Sequence, residues 1–247
     1  MSTLELYEPI SLEEMKSVRL MNRTDTKYIT DTATLNKLLE VAMSGYYIQE
    51  IGQERILPYH TTYYDTRDYR MYHEHERGRK TRQKVRVREY VQSGAEFLEI
   101  KNKNNKGKTK KIRINYDPSD EQANARFIHE HTPFRTGGLM KSLINSFERI
   151  TLVNKGKTER ITIDLNLKMY NPKTDKTCSL ENLAIIEIKK NGHLASGMTR
   201  MLRDSRIQPA KFSKYCMGLA LTDTSLKQNR FKERIRTLDK ICEIKYI

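Results

Sequence analysis

Arg82, Lys84, Arg86 and Arg88 recur at every second position of R-Q-K-V-R-V-R, with Gln83, Val85 and Val87 between them. A row of such groups is a chemistry for anions. The arginine fork takes phosphate or carboxylate oxygens two at a time, and lysine adds compact charge. Three further stretches repeat the pattern and add acids. Phe97 to Lys103 sets Glu99, Lys101 and Lys103 against Leu98 and Ile100. Arg160 to Leu167 sets Arg160, Thr162, Asp164 and Asn166 against Ile161, Ile163, Leu165 and Leu167. Ala184 to Lys190 sets Ile185, Glu187 and Lys189 against Ile186 and Ile188. Glu99, Asp164 and Glu187 are candidate ligands for Mg²⁺ or Mn²⁺, hard cations that use one or two carboxylates and bridge phosphate oxygens. Many cations, a few acids and a divalent metal suit phosphoryl transfer, which needs mainly positioning and charge neutralisation. No serine triad, thiol site or zinc cluster is legible.

The elements that must position these residues are strands, because only a strand puts alternate side chains on one face. A solvated edge strand would explain any one such row. It does not explain four, since their apolar faces must pack against something. An open sandwich would bury those faces and leave the charges in water. A closed antiparallel barrel, with a charged lumen and helices packed outside, satisfies both demands and removes sheet edges. The fold class expected is therefore α+β.

At 247 residues the chain suits one large domain, and its net charge of +15 implies a polyanionic partner. Nucleic acid is disfavoured, because the cations alternate inward on several strands whereas a duplex wants an outward patch. Cys178, Cys216 and Cys242 are odd in number and far apart, and read as free thiols in a reducing compartment. No apolar run approaches a membrane span and the first residues carry no signal pattern, so a cytoplasmic protein is expected.

In chain order, Ser11 to Glu14 forms a capping box that opens an N-terminal helix within residues 1–19. Leu35, Leu38, Leu39 and Ala42 predict a helix over 32–43 that plugs or flanks one barrel mouth. Strands are predicted at 46–51, 56–64, 82–91, 95–103 and 109–116. His73 and His75 are spaced for a strand, without a third ligand nearby. Helices follow at 121–130 and around 139–147, on either side of a linker at Gly137 and Gly138. A hairpin joins 148–153 to 158–167. After an irregular stretch to 182 come a strand at 183–190, a helix near 198–204 and the segment Pro209 to Cys216. Residues 1–225 form one domain in this reading, and 226–247 a basic, helical, solvated tail.

The motifs T-K-Y (26–28), the R-V-R strand, F-L-E-I-K, F-E-R (147–149), R-I-T-I-D, I-E-I-K-K and above all P-A-K-F-S-K-Y resemble the VTC domain. This is the polyphosphate polymerase domain of the vacuolar transporter chaperone family, within the triphosphate tunnel metalloenzymes. The likeness covers roughly residues 20–222. It implies an eight-stranded tunnel in which Lys27, Arg86, Arg88, Lys101, Arg149 and Arg160 grip phosphates. Lys189 joins them on the I-E-I-K-K strand, and Lys110 or Lys111 matches a further phosphate-binding lysine. Glu187 becomes the metal ligand, while Lys211, Ser213 and Lys214 line the site at the tunnel end. One departure bears on activity: the E-x-E-x-K opening of the wider superfamily is here Arg23-Thr24-Asp25-Thr26-Lys27, which disfavours simple metal-dependent triphosphate hydrolysis. The resemblance implies a stand-alone prokaryotic version that uses ATP and inorganic polyphosphate, with any membrane partner a separate protein. A triphosphatase or polyphosphate hydrolase, and a non-catalytic binder of polyphosphate or inositol phosphate, are the alternative expectations.

Overall fold

The computed structural model describes residues 3–15, 23–134, 138–192 and 194–246. The expected linker residue Gly137, and the part of the N-terminal helix beyond Met15, lie outside them. The capping box forms as read: the Ser11 N–H donates to Glu14 Oε2 at 2.9 Å and the Glu14 N–H to Ser11 Oγ at 3.2 Å. It opens α1 (Leu12–Met15), just after a short strand β1 (Glu8–Ile10).

The first long strand, β2 (Arg23–Asp31), runs into α2 (Thr32–Ala42), whose first turn is capped by Asp31. Then follow β3 (Tyr46–Gln49), β4 (Leu57–Thr66), α3 (Arg70–Glu76), β5 (Arg82–Tyr90), β6 (Ala95–Lys103), β7 (Thr109–Asn115) and α4 (Glu121–His131). The second half consists of β8 (Leu139–Asn154), β9 (Glu159–Asn171), β10 (Lys176–Glu181), β11 (Leu183–Asn191), α5 (Gly197–Asp204), α6 (Lys214–Thr222), α7 (Lys232–Ile241) and β12 (Glu243–Tyr246).

Eight strands form one antiparallel path, β2-β11-β9-β8-β4-β5-β6-β7. Among the described residues no hydrogen bonds join β7 back to β2, so the sheet is curled and not closed by a ladder as a barrel would be. The curl is evident in the charges: Glu187 of β11 acts on Lys101 of β6, and Lys27 of β2 on Lys84 of β5. Two features keep the seam open. Lysine-rich β7 is mostly exposed, a common protection of an edge strand. The free side of β2 is taken by the segment before α6, where Tyr28 bridges Pro209 and the Ala210 N–H donates to the Lys27 carbonyl at 2.7 Å.

The convex surface is packed as its alternation demands. Val85, Val87, Leu98 and Ile100 bury against Met71 of α3 and Phe127 and Ile128 of α4. Ile161, Ile163, Ile186 and Ile188 bury against Leu35, Leu38 and Leu39 of α2 and Met198 and Leu202 of α5. Burying each such side chain is worth roughly 1.5–3 kcal/mol, which is what holds the curl. Helix α2 thus covers the wall and does not plug a mouth.

One helix departs from the expected outside packing. Helix α6 lies on the concave face and fills it with Tyr215, Leu219 and Met217 against Tyr63, Leu143, Phe147 and Met169. A Cβ on Gly218 would come within 2.4 Å of Leu143 Cδ2, so glycine is what lets the helix sit this close.

Three other expectations are corrected. Residues 139–147 belong to the 16-residue strand β8, not to a helix. Leu143 and Phe147 have helical spacing, but the polar Asn145 between them is buried on the same face, which hides the period of two. His73 and His75 sit on helix α3. The tail is not solvated, since Phe231 and Leu238 join the core and β12 pairs with β10. No helix among the described residues is long and apolar enough to cross a membrane.

Candidate functional site

Register places the charged rows on one concave face, because residues directly opposite in a ladder share a side. Arg86 faces Glu99, Lys84 faces Lys101, and Arg82 faces Lys103. Across β6 and β7, Glu99 faces Arg113 and Lys101 faces Lys111. Lys110 therefore points to the convex side, and Lys111 is the inward one of the two. On the other wall Arg149 faces Asp164, and Glu187 faces both Thr162 and Lys27, while Lys189 faces Arg160.

Each of the three buried or half-buried carboxylates holds two cations. Glu99 accepts from Arg86 Nε at 2.8 Å and from Lys111 Nζ at 2.9 Å. Asp164 accepts from Arg149 Nε at 2.6 Å and Nη2 at 2.9 Å, a two-pronged pair, and from Lys214 Nζ. Glu187 pairs with Lys189 at 2.7 Å and Lys27 at 3.4 Å. Burial alone would raise all three pKa values, but the cations outweigh it. Glu99 is drawn down to about 2 by Arg86, Arg88 and Lys111, and Asp164 and Glu187 lie well below the usual carboxylate range.

The cations outnumber these acids, and several are held against their own repulsion. Among the described residues, buried Arg88 finds a hydrogen-bond partner only in Thr61 Oγ1, at 3.3 Å, and lies over the faces of Tyr59 and Phe147. Burial, then Arg86 and Arg149, pull its pKa to about 10. Lys101 is pushed well below a lysine's normal value by Arg86, burial and Arg88. Lys84 is lowered by burial and donates to Ser213 Oγ at 2.9 Å. Lys214 falls to about 7, since burial and the nearby Arg149 and Arg88 outweigh Asp164. Such a face is completed by an anion. Helix α6 adds to it, since Ser213 both caps its first turn and accepts from Lys84, which sets the positive end of the helix beside the other cations.

These depressed lysines predict proton uptake on binding. At about pH 8 Lys214 is largely neutral when free, and bound phosphates raise its pKa, so tripolyphosphate should take up protons there and far fewer at about pH 6. Calorimetry in two buffers of different ionisation enthalpy measures this. Equal heats in both buffers at the higher pH would refute the assignment.

Among the described residues no group of three or more His, Cys, Asp or Glu is arranged to hold a metal ion. An all-protein cage does not fit. A cation that takes one carboxylate and draws its other ligands from water or a bound anion does fit, at half-buried Glu187. All three carboxylates sit between cations, but Glu187 is the most accessible of them, with 21% of its side chain exposed against 1% for Glu99 and 8% for Asp164.

Of the other expected residues, Arg160 lies on the concave face beside Lys189, and Lys211 is exposed where the face opens to solvent. Lys84, in the same alternation as Arg86, belongs to this set and was legible. Tyr63 was not: its hydroxyl lies 3.5 Å from Arg86 Nη1, yet β4 reads as an aromatic strand. Burial would raise its pKa, but Arg86 and Arg88 outweigh that and lower it.

Comparison with solved structures recovers this fold. A candidate adenylyl cyclase from Hippeastrum, whose dominant activity is that of a triphosphatase, aligns at TM-score 0.50 and 13% identity, over 81% of this chain and 96% of that one. A candidate adenylate cyclase from Vibrio parahaemolyticus aligns at 0.46 and 10%, over 82% and 99%. A Pyrococcus horikoshii protein aligns at 0.45 and 13%, over 80% and 98%. No curated protein matches the chain. The sequence model of the VTC domain matches residues 22–223, which run from the start of β2 to the end of α6 and include the whole charged face. The chain belongs to the VTC domain family.

Proposed function

We propose that the concave face is the active site of a polyphosphate polymerase, which moves the γ-phosphate of ATP onto a growing inorganic polyphosphate chain. One arrangement supports this most. Glu99, Asp164 and Glu187 are each bound to two cations and held ionised, so each is a poor general base for activating water. A phosphate terminus, already anionic, needs no base.

In this reading a terminal oxygen of the chain attacks the γ-phosphorus. The bond from that phosphorus to the β–γ bridging oxygen breaks, ADP leaves with the electron pair, and the chain grows by one phosphate. Arg86, Arg88, Lys101, Arg149, Arg160, Lys27 and Lys189 hold the phosphates, with Lys111 in the role expected of Lys110. Glu99 and Asp164 orient Arg86 and Arg149. Lys214, Ser213 and the positive end of α6 offset the charge of the acceptor, and Lys211 meets it further out. Glu187 would hold Mn²⁺ or Mg²⁺, which when bound neutralises charge on the transferring phosphoryl oxygens. The hollow acts as a tunnel whose seam is covered by residues 209–213, and residues 1–225 form the catalytic unit. With ATP as donor the reaction belongs in the cytoplasm, and moving product across a membrane would take a partner protein.

Triphosphate hydrolysis is the competing reading, since it is the dominant activity of the Hippeastrum protein. Incubation with ATP and Mn²⁺, with and without short polyphosphate as primer, separates the two. The expected result is ADP and polymer with little orthophosphate. Equal ADP and orthophosphate without polymer would replace the polymerase by the hydrolase.

A further inference from the structure

Where β5 begins and β6 ends, the concave face opens into a cavity of about 480 Å³. Thirteen of the described residues line it, of which seven are lysine or arginine and none is aspartate or glutamate. Arg82 and Lys103 enter as a facing pair that continues the rows of β5 and β6 outward, and Lys211 comes from the segment along β2. Arg230 and Arg234 come from the C-terminal segment, beyond the residues matched to the family.

The two C-terminal arginines are seated by specific packing. Phe231 between them is fully buried against Tyr72, with ring centroids 5.7 Å apart, and Arg234 stacks over the Phe231 ring at 5.7 Å. The Arg230 guanidinium occupies the place a side chain at Gly78 would take: a Cβ there would lie 1.8 Å from Nη1. No ion pair neutralises any of the seven cations among the described residues. Their field converges on His75, whose imidazole is driven down to about 2, first by burial and then by Lys84, Arg82, Arg234 and Lys103.

Unneutralised cations from four separate segments, gathered around one cavity with no acid among them, make a site for a polyanion. The row Arg82, Lys84, Arg86, Arg88 leads from this mouth into the concave face in steps of about 6.8 Å, two strand residues each. We propose that the mouth is a second binding site for condensed phosphate, and that Arg230 and Arg234 hold the part of a long chain that extends beyond the concave face. The inference rests on the phosphate reading of that face. It makes the C-terminal segment a determinant of chain-length preference.

The test uses the full chain and its Arg230→Ala/Arg234→Ala double variant. Affinities are measured for tripolyphosphate and for long-chain polyphosphate over a range of salt. The variant should bind the long chain roughly tenfold more weakly, with a salt slope smaller by about 1.4, and bind tripolyphosphate as the wild type does. A double Arg→Lys variant should recover most of the loss. Unchanged long-chain affinity would overturn the mouth site. So would an equal loss for both ligands, which would mean that the arginines act through the fold. If wild type bound neither ligand, the phosphate reading of the concave face would itself fail.

Discussion

Lys214→Ala should lower polymer formation from ATP by about two to three orders of magnitude and leave the fold in place. Two polyanions brought within bonding distance repel strongly in a site of low dielectric, and the acceptor has to be met by positive charge. Lys214 supplies it at the first turn of α6, together with Ser213 and the helix end. Its removal does not strand Asp164. That carboxylate keeps both prongs of Arg149, at 2.6 and 2.9 Å, so the penalty for a buried unpaired charge does not arise. Lys211→Ala should suppress polymer formation less, because Lys211 is exposed and screened by water. Initial rates of ADP release and polymer length, with a thermal melt as control, measure the effect. Wild-type polymerisation by Lys214→Ala would remove the residue from the acceptor site.

Glu187→Gln should abolish turnover supported by Mn²⁺, and at the same time tighten metal-free binding of tripolyphosphate. The substitution takes away a ligand charge and little volume. It also leaves Lys27 and Lys189, 3.4 and 2.7 Å from the carboxylate, without their shared partner. Both lysines then become free to bind phosphate. A carboxylate that served only to space the two lysines would give the second effect without the first. Rates at limiting Mn²⁺, set beside tripolyphosphate affinity in a chelator, therefore separate a metal ligand from a spacer. Normal turnover at limiting Mn²⁺ would end the metal assignment at Glu187.

Strands β5, β6, β9 and β11 were legible because each packs one face on helices and turns the other to the charged hollow, which forces a period of two. Where a buried face mixes polar and apolar residues, as with Asn145 between Leu143 and Phe147, that signal fails and β8 looks helical. Strands β10 and β12 were missed for a related reason. Both are short, and β12 is held by a partner far away in sequence, Cys178 facing Tyr246 for example, whereas β10 forms a hairpin with β9. Alternation alone placed Lys84, Arg86, Arg88, Lys101, Arg160 and Lys189 on shared strand faces, whereas Arg149 entered only through the family likeness. Lys110 and Lys111 could not be told apart, since adjacent residues differ only in which face the register gives them.

The amino-acid sequence by itself determined which side chains share a face of each strand, that four such faces are charged, and that the motifs match the VTC domain. Tertiary structure alone decided that the sheet curls without closing its ladder, that segment 209–213 lies along β2, that α6 fills the hollow, and which cation each carboxylate holds. The physical reason is that side-chain direction is a local property of the backbone, whereas Coulomb energy depends on distances through space. Those distances exist only once strands far apart in the chain have been brought into register.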